Sequence, residues 1–222
     1  MVRIEIVSFD MESTLIDDNF SDLIWEHDIP SLYGLQNGME LEEAKRYVLQ
    51  QYDTFGMGRP EWYDVDYWFR QLGLGGNWRD LLENRRNDCR LYPETLQVLE
   101  RLSERYPLII SSNTIREFLQ VQLRKLPSVF RHVFSAPSDF GTVKNPDFYG
   151  RISDIIGVEP GAIVHVGDNV AFDYEAPREA GMLAFHLDRS GTTQGDHIIR
   201  TLVDFEERLK GLEEKNTHKE GT

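Results

Sequence analysis

A short apolar segment near the start of the chain runs directly into an acidic cluster, Ile4-Glu5-Ile6-Val7-Ser8-Phe9-Asp10-Met11-Glu12-Ser13-Thr14-Leu15. The apolar residues predict a buried strand, and two carboxylates and two hydroxyls follow it within five positions. Open α/β sheets bind their ligands at the carboxyl ends of strands, so Asp10 is a candidate nucleophile. Asp and Ser are also common where a loop begins, and this segment alone leaves both interpretations open.

The second half of the chain alternates short apolar runs with helical patterns. Further strands are predicted at residues 108–110, 132–135, 162–166 and 182–187. Segments with the apolar spacing of helices separate them, and a last helical pattern covers residues 198–209. Repeated strand–helix units predict a parallel sheet with helices on both faces. Counting the first strand, we predict an α/β fold with three layers and a five-stranded, mainly parallel sheet.

The segment between the first strand and this alternating pattern is different. Residues 16–91 contain no run that predicts a buried strand, whereas helical spacing recurs at 41–48 and 63–72. The segment holds all four tryptophans of the chain, Trp25, Trp62, Trp68 and Trp78. We expect most of them to form the core of a small helical subdomain, and one or two lining a substrate pocket is the alternative.

These patterns divide the chain into three parts. Residues 1–15 and 92–212 are predicted to form the sheet domain, with residues 16–91 inserted into it as a helical unit. Residues 213–222 are polar and aperiodic, so we predict a disordered tail.

Polar residues also follow later strands of the sheet domain. Ser112 and Asn113 come directly before a predicted helix, where hydroxyls and free backbone N–H groups can bind an anion. An N-cap formed by Asn113 or Thr114 is the alternative. Lys144 lies in a loop just ahead of the next helix, and by itself it could be a solvated surface lysine.

Two carboxylates, Asp168 and Asp173, follow the strand predicted at residues 162–166. Magnesium prefers oxygen ligands and usually takes one or two carboxylates together with water and substrate phosphate. This pair of carboxylates is therefore a candidate magnesium site.

Taken together, these clusters resemble the four motifs of the haloacid dehalogenase-like (HAD) superfamily of phosphohydrolases. Residues 9–15 resemble the first motif, Ser112-Asn113 the second, Lys144 with Asn145-Pro146 the third, and residues 166–176 the fourth. The resemblance covers essentially the whole chain, since residues 16–91 look like the mobile α-helical cap that the family inserts between its first two motifs. It implies a Rossmann-like catalytic core at residues 1–15 and 92–212.

The resemblance implies a two-step phosphoryl transfer. Asp10 would attack phosphorus to form an aspartyl-phosphate, which water then hydrolyses. Ser112 and Lys144 would bind the oxygens of the transferring group and stabilise their developing charge, and Asn113 would complete the phosphate-binding set.

The resemblance also implies a Mg²⁺ cofactor. Asp10, Asp168 and the backbone carbonyl of Glu12 would bind the ion, which neutralises phosphate charge. Asp173 completes the predicted metal set, with the supporting role of orienting Lys144 or a metal-bound water.

The chain departs from the resembled family at Glu12. Most phosphatases of the family carry Asp two positions after the nucleophile, as general acid and then general base. Glutamate is one methylene longer, which displaces the carboxyl by roughly 1.5 Å, and acid–base geometry is sensitive on that scale. We expect Glu12 to do the same proton chemistry, more slowly.

The predicted function is a Mg²⁺-dependent phosphatase that hydrolyses a small phosphorylated metabolite. One alternative is a 2-haloacid dehalogenase in which Asp10 attacks carbon. The other is a weakly catalytic protein that binds a phosphate ligand. The cap residues that would contact a leaving group have no fixed spacing, so the sequence does not name the substrate.

Composition limits the partners. The net charge is −14 at pH 7 and no segment carries a basic run, which argues against nucleic acid. No apolar run approaches the roughly 20 residues that span a bilayer, and no secretory signal precedes the first strand, so we predict no membrane contact and a cytoplasmic location. The sequence does not indicate an oligomeric state.

Overall fold

A single parallel sheet organises the fold. The computed structural model describes residues 3–220, with side chains described as far as Glu213. The sheet contains six strands: β1 (Ile6–Phe9), β2 (Leu108–Ser112), β3 (Phe130–Ser135), β4 (Ile163–Gly167), β5 (Leu183–Leu187) and β6 (Ile198–Ile199). Their order is β3-β2-β1-β4-β5-β6, and each neighbouring pair is parallel. The predicted α/β class is confirmed.

The prediction of five strands was wrong, because residues 198–199 form a sixth strand instead of starting the last helix. The carboxylate of Asp204 accepts hydrogen bonds from the backbone N–H groups of Arg200 and Thr201, at 3.0 and 2.9 Å. These bonds fix the helix start after Thr201 and leave the two isoleucines extended against β5. The apolar residues before and after these hydrogen bonds have helical spacing, so the sequence pattern did not show where β6 ends and α11 begins.

Helices fill the remaining chain. Between β1 and the next helix of the sheet domain lie α1 (Asn19–Asp22), α2 (Ile29–Asn37), α3 (Leu41–Asp53), α4 (Val65–Gln71) and α5 (Arg79–Arg85). A π-helical turn, Leu23–Asp28, joins α1 to α2, and a 3₁₀ turn, Pro60–Tyr63, precedes α4. The sheet domain contributes α6 (Thr95–Ser103), α7 (Arg116–Leu123), α8 (Ala136–Phe140), α9 (Pro146–Ile156), α10 (Ala176–Glu179) and α11 (Leu202–Glu220).

Alternate residues of the central strand β1 pack on opposite faces of the sheet. Val7 and Phe9 belong to an apolar cluster that includes residues of α6, α7 and α11, whereas Ile6 belongs to a second cluster built around α9. Burying each large apolar side chain stabilises the fold by roughly 1.5–3 kcal/mol. Helices therefore cover both faces, which gives the three layers that the strand–helix pattern predicts.

The helical insertion leaves and rejoins the sheet domain at one point. Ile16 pairs with Leu91 in an isolated antiparallel bridge, and every element between them is helical. Among its tryptophans, Trp68 and Trp78 are buried, whereas Trp25 and Trp62 are only partly buried.

The tail predicted to be disordered from residue 213 is helical as far as Glu220, the end of α11. The carboxylate of Glu213 accepts hydrogen bonds from Arg105 and from the hydroxyl of Tyr106, which attach this turn of the helix to the sheet domain. Glu and Lys are good helix formers, so a polar sequence without an apolar stripe can continue a helix that is already started. Gly221 and Thr222 lie outside the described residues.

Within residues 3–220, no helix has both the length and the apolar character needed to cross a bilayer.

The last residue of β4, Gly167, lets a carboxylate pack directly against the backbone. After it the chain enters a π-helical turn, Val170–Glu175, which brings Asp173 back over the end of the strand. A Cβ atom placed on Gly167 would lie 2.3 Å from Cγ and 2.7 Å from Oδ2 of Asp173. Any larger residue at position 167 must therefore displace Asp173.

We expect Gly167→Ala to lower the free energy of unfolding by about 2 kcal/mol, since overpacking a tight site typically costs about 1–3 kcal/mol. Denaturant titration measures the change. Gly150→Ala is the matched control, because Gly150 lies within α9 and its added Cβ would meet nothing within 4 Å. That variant should gain up to about 1 kcal/mol from helix propensity. A Gly167→Ala protein as stable as the control would contradict the packing described here.

Candidate active site

The four sequence clusters meet in one cavity at the carboxyl edge of the sheet. Asp10 follows β1, Ser112 ends β2 and Asp168 follows β4, and these three strands are neighbours. Lys144 enters from the loop between α8 and α9. The cavity has a volume of about 160 Å³, and the helical insertion also contributes to its wall. The sequence-predicted residues that line it are Asp10, Glu12, Ser112, Asn113, Lys144, Asp168 and Asp173.

Lys144 is the centre of this cavity. Its ammonium group is buried and donates to Oδ1 of Asp10 and to Oδ1 of Asp173, both at 2.5 Å. The backbone N–H of Lys144 donates to Oδ1 of Asn113 at 2.7 Å. Asn113 thus holds the lysine loop in place, a task that its position after β2 did not reveal. The surface-lysine alternative is wrong for this residue.

A buried histidine supports the far side of this ion pair. His165, in β4, lies 2.9 Å from Oδ1 of Asp173 through Nε2 and 2.8 Å from the hydroxyl of Ser8 through Nδ1. The backbone N–H of Asn169 donates to the other carboxylate oxygen, Oδ2, of Asp173 at 3.1 Å. Asp173 therefore uses both of its oxygens on protein donors, and its contacts fit the role of orienting Lys144. A histidine inside a buried strand was the available signal, but spacing alone could not show what it contacts.

Negative charge exceeds positive charge in the cavity. Burial raises the pKa of Asp10 well above its usual value, and Asp173 and Asp168 raise it further, although Lys144 opposes them. Burial and the charge of Asp173 raise the pKa of Asp168 to about 7. The pKa of Asp173 falls to about 2 because Lys144 and His165 outweigh its burial. One lysine thus faces three carboxylates.

The carboxylates are close enough together to bind one divalent cation. One oxygen from each of Asp10, Asp168 and Asp173 lies within 4.8 Å of the others. Oxygen ligands of this kind suit Mg²⁺, and a double positive charge would offset the repulsion that raises the pKa values of Asp10 and Asp168. The residues present therefore fit the magnesium ion that the sequence predicts.

Ser112 combines a local role with exposure to the cavity. Its hydroxyl oxygen accepts a hydrogen bond from the backbone N–H of Thr114 at 3.1 Å, just before α7. Its hydroxyl proton is donated to no other group in the described residues, and Ser112 lines the cavity wall. Shaping this turn and binding an anion are compatible roles for the same side chain.

Glu12 is held between the insertion and the sheet domain. Its Oε1 accepts hydrogen bonds from the hydroxyl of Ser21, in α1, and from Nε2 of Gln122, in α7, the latter at 2.5 Å. Burial raises the pKa of this carboxyl above its usual value. No hydrogen bond joins it to Asp10 or Lys144 in the part of the chain described. The sequence did not show that Ser21 and Gln122 contact Glu12, because a single polar residue on a helix carries no sign of its partner.

A family model described as haloacid dehalogenase-like hydrolase matches residues 4–181. The chain belongs to this family. The chain is 38% identical over 71 residues to the GMP/IMP nucleotidase YrfG of Escherichia coli K12, a match that covers 32% of this chain and 32% of that protein. It is also 25% identical to the glyceraldehyde 3-phosphate phosphatase of Pyrococcus furiosus, over 97% of this chain and 96% of the relative.

Solved structures share the fold of this HAD-like hydrolase. A HAD phosphatase from Thermococcus onnurineus superposes with a TM-score of 0.83 at 24% identity, covering 93% of this chain and 98% of that one. The 2-haloacid dehalogenase from Pseudomonas syringae pv. tomato gives a TM-score of 0.58 at 21% identity, over 94% and 99% of the two chains. At these identities the likeness concerns the fold.

Magnesium should stabilise the protein in a pH-dependent way. With the pKa of Asp168 at about 7, its carboxyl is mostly ionised at pH 8 and mostly protonated at pH 5.5. We expect MgCl₂ to raise Tm at pH 8 and much less at pH 5.5, as measured by thermal denaturation against NaCl of equal ionic strength.

The variant Asp168→Asn provides the control. A carboxyl whose folded pKa lies above the unfolded value of about 3.9 destabilises the fold progressively as pH rises through that interval. The metal-free Asn variant should therefore melt higher than the native protein at pH 8 but not at pH 4, and lose most of the response to MgCl₂. A full magnesium response in this variant would place the ion elsewhere.

Proposed function

We propose that this HAD-like hydrolase is a Mg²⁺-dependent phosphatase that acts on a small phosphorylated metabolite. The observation that carries the proposal is the buried Lys144, which bridges Asp10 and Asp173 beside the third carboxylate, Asp168. A nucleophile, a cation for phosphate oxygens and a set of metal ligands are thus gathered in one cavity. The E. coli relative is named a nucleotidase and the Pyrococcus relative a phosphatase, which supports phosphomonoesters as the substrate class.

In the first step, a carboxylate oxygen of Asp10 attacks the phosphorus atom. A bond forms between that oxygen and phosphorus as the bond from phosphorus to the alcohol oxygen breaks, which leaves an aspartyl-phosphate. The Lys144 ammonium and the free hydroxyl proton of Ser112 stabilise the negative charge on the transferring oxygens. Asn113 contributes by fixing the backbone of Lys144.

Glu12 acts in both steps. Its pKa is raised by burial, so a larger share of the carboxyl is protonated and available to protonate the departing alkoxide. The resulting carboxylate then accepts a proton from water as that water attacks the aspartyl-phosphate. This second step releases inorganic phosphate and restores the Asp10 carboxylate.

Mg²⁺ bound by Asp10, Asp168 and the backbone carbonyl of Glu12 would supply the positive charge that lets two anions approach each other. Asp173 serves this set indirectly, since it keeps Lys144 charged and in place. The pKa of Lys144 is raised by Asp10 and Asp173 in spite of its burial, so the ammonium stays protonated throughout the working pH range.

Residues 16–91 are proposed to be a cap that closes over the cavity, on a catalytic core made of residues 1–15 and 92–212. The hydrogen bond from Ser21 to Glu12 supports this, because it joins the insertion to the acid–base residue itself. The narrow crossing at Ile16 and Leu91 is a suitable hinge. Closure would exclude bulk water during the first step.

Asp10→Asn should abolish phosphate release, since an amide is not a nucleophile for phosphorus. The measurement is steady-state release of inorganic phosphate from a panel of phosphomonoesters, with MgCl₂ and with a chelator present. Asp147→Asn, in the first turn of α9, is a control for the loss of one carboxylate outside the cavity. If the native chain instead releases chloride from a 2-haloacid without added metal, the dehalogenase reaction replaces the proposal.

Gln122 is expected to position Glu12 without touching the substrate. Gln122→Met removes the donor at 2.5 Å but keeps a similar volume, so we expect kcat to fall about tenfold while KM changes little. The basic limb of the pH–rate profile should also move, because the donor normally lowers the pKa of Glu12. If Gln122→Met lowers both kcat and the free energy of unfolding but leaves the pH–rate profile unchanged, Gln122 contributes only to packing.

A further inference from the structure

The helical insertion contains a second cavity, which the proposed chemistry does not use. It has a volume of about 390 Å³ and opens between α1, α3 and the turn Pro60–Tyr63. Four aromatic side chains form much of its wall, namely Trp25, Tyr52, Trp62 and Tyr63. We refer to it as the aromatic cleft.

The aromatic cleft lies next to the catalytic cavity. Trp25 and Tyr63 also line a narrow space of about 20 Å³, and this space shares Glu12, Tyr63 and Thr114 with the catalytic cavity. The three spaces are therefore neighbours in a series from the proposed phosphate-binding groups to the aromatic rings. A leaving group attached to a phosphate at Lys144 would extend along this series.

The neck between the two cavities limits the shape of that leaving group. A space of about 20 Å³ holds little more than one water molecule, so it suits a short alkyl linker and not a sugar ring. Tyr63 forms part of its wall, and its hydroxyl makes only two long hydrogen bonds, to the carbonyl of Met57 at 3.2 Å and from Nδ2 of Asn113 at 3.3 Å. Weak bonds of this length leave the ring free to rotate, and the proposal below requires such a rotation to admit a methylene chain.

The rings around Tyr52 stand at steep angles to one another. Trp25 and Tyr52 are 5.6 Å apart between centroids with an angle of 88° between their planes, and Tyr52 and Trp62 are 6.2 Å apart at 66°. A flat heterocycle stacks best between parallel plates, which these pairs do not provide. Ring faces meeting at corners instead surround a compact cation, as in the aromatic cages that bind ammonium groups.

The charge at the rim of the cleft favours a cation as well. Asp22, Glu26 and Asp53 also line the cleft, and of these three only Glu26 has a salt bridge among the described residues, to Lys45 at 3.0 Å. Asp22 and Asp53 form no ion pair with any side chain described in the structure. Partial burial, together with neighbouring carboxylates, raises the pKa of Asp22 to about 6, a sign of uncompensated negative charge at this rim.

We propose that the aromatic cleft binds the cationic head of the leaving group, so that the preferred substrate is the phosphate monoester of a short amino alcohol with a quaternary or primary ammonium group. The inference rests on the proposed phosphatase function and names its substrate class. Phosphomonoesters with an anionic leaving group are disfavoured by the same carboxylates.

The decisive comparison is between phosphocholine and 3,3-dimethylbutyl phosphate, which have the same shape but differ by one positive charge. For the native chain with MgCl₂ we expect kcat/KM to be at least tenfold higher for phosphocholine. Phosphoethanolamine, tested alongside, distinguishes a quaternary from a primary ammonium. A ratio near one between the two isosteric esters overturns the inference even if both are hydrolysed.

Variants of the cleft should change this ratio. Trp62→Ala is expected to reduce it about fivefold, and Trp62→Phe, which keeps a ring face, to restore part of it. Asp22→Asn should reduce it about threefold at low ionic strength and less at high salt. The matched control is Trp78→Phe, since Trp78 lies in the insertion but lines a different cleft, and it should leave the ratio unchanged. If the ratio of the two kcat/KM values is unchanged in the Trp62→Ala and Asp22→Asn variants, the cation binds elsewhere and the inference is overturned.

Binding of choline alone separates this inference from the proposed function. Choline should change the tryptophan fluorescence of the native chain and of Trp78→Phe, but less that of Asp22→Asn, which keeps every tryptophan, whereas the neutral alcohol 3,3-dimethylbutanol should have little effect. If no phosphomonoester releases phosphate, the proposed function fails and this titration alone decides about the cleft. Equal responses to the two alcohols would then overturn the inference.

Discussion

The site depends on one buried ammonium group held between two carboxylates. Lys144 pairs with Asp10 and Asp173 where water is largely excluded, and removing one partner from such a buried arrangement typically costs about 3–5 kcal/mol. Supporting contacts hold each side of it: Asn113 fixes the lysine backbone, and His165 fixes Asp173. Gly167 leaves the space that Asp173 occupies. These contacts hold the end of β4 and the loop before α9 in fixed positions next to the end of β1.

The same arrangement leaves an excess of two negative charges in the cavity when all three carboxylates are ionised. Three carboxylates face a single lysine, and burial makes their mutual repulsion expensive. A divalent cation would offset this excess, which would link the stability of the folded chain to the chemistry proposed for it.

Glu12 connects this centre to the insertion. Its carboxyl accepts hydrogen bonds from Ser21 on α1 and from Gln122 on α7, so the helical insertion contacts the proposed acid–base group directly. Beyond this contact lies the neck to the aromatic cleft. The proposed cation site, Glu12 and Asp10 therefore line neighbouring spaces, and a change at one of them is expected to affect the others.

The sequence by itself determined the α/β class, the strands β1 to β5 and the cluster of Asp10, Ser112, Lys144 and Asp168, because apolar periodicity and strand ends are local properties of the chain. Sequence reasoning placed residues 198–199 in the last helix and ended that helix before residue 213. Hydrogen bonds to the Asp204 carboxylate and contacts to Glu213 decide these two boundaries instead. Only the tertiary structure decided the partners of Glu12, the support of Asp173 by His165 and the aromatic cleft. Some of these contacts are local, as between His165 and Asp173, and others are distant, as between Gln122 and Glu12, but each depends on how the side chains pack, which no fixed spacing in the chain encodes.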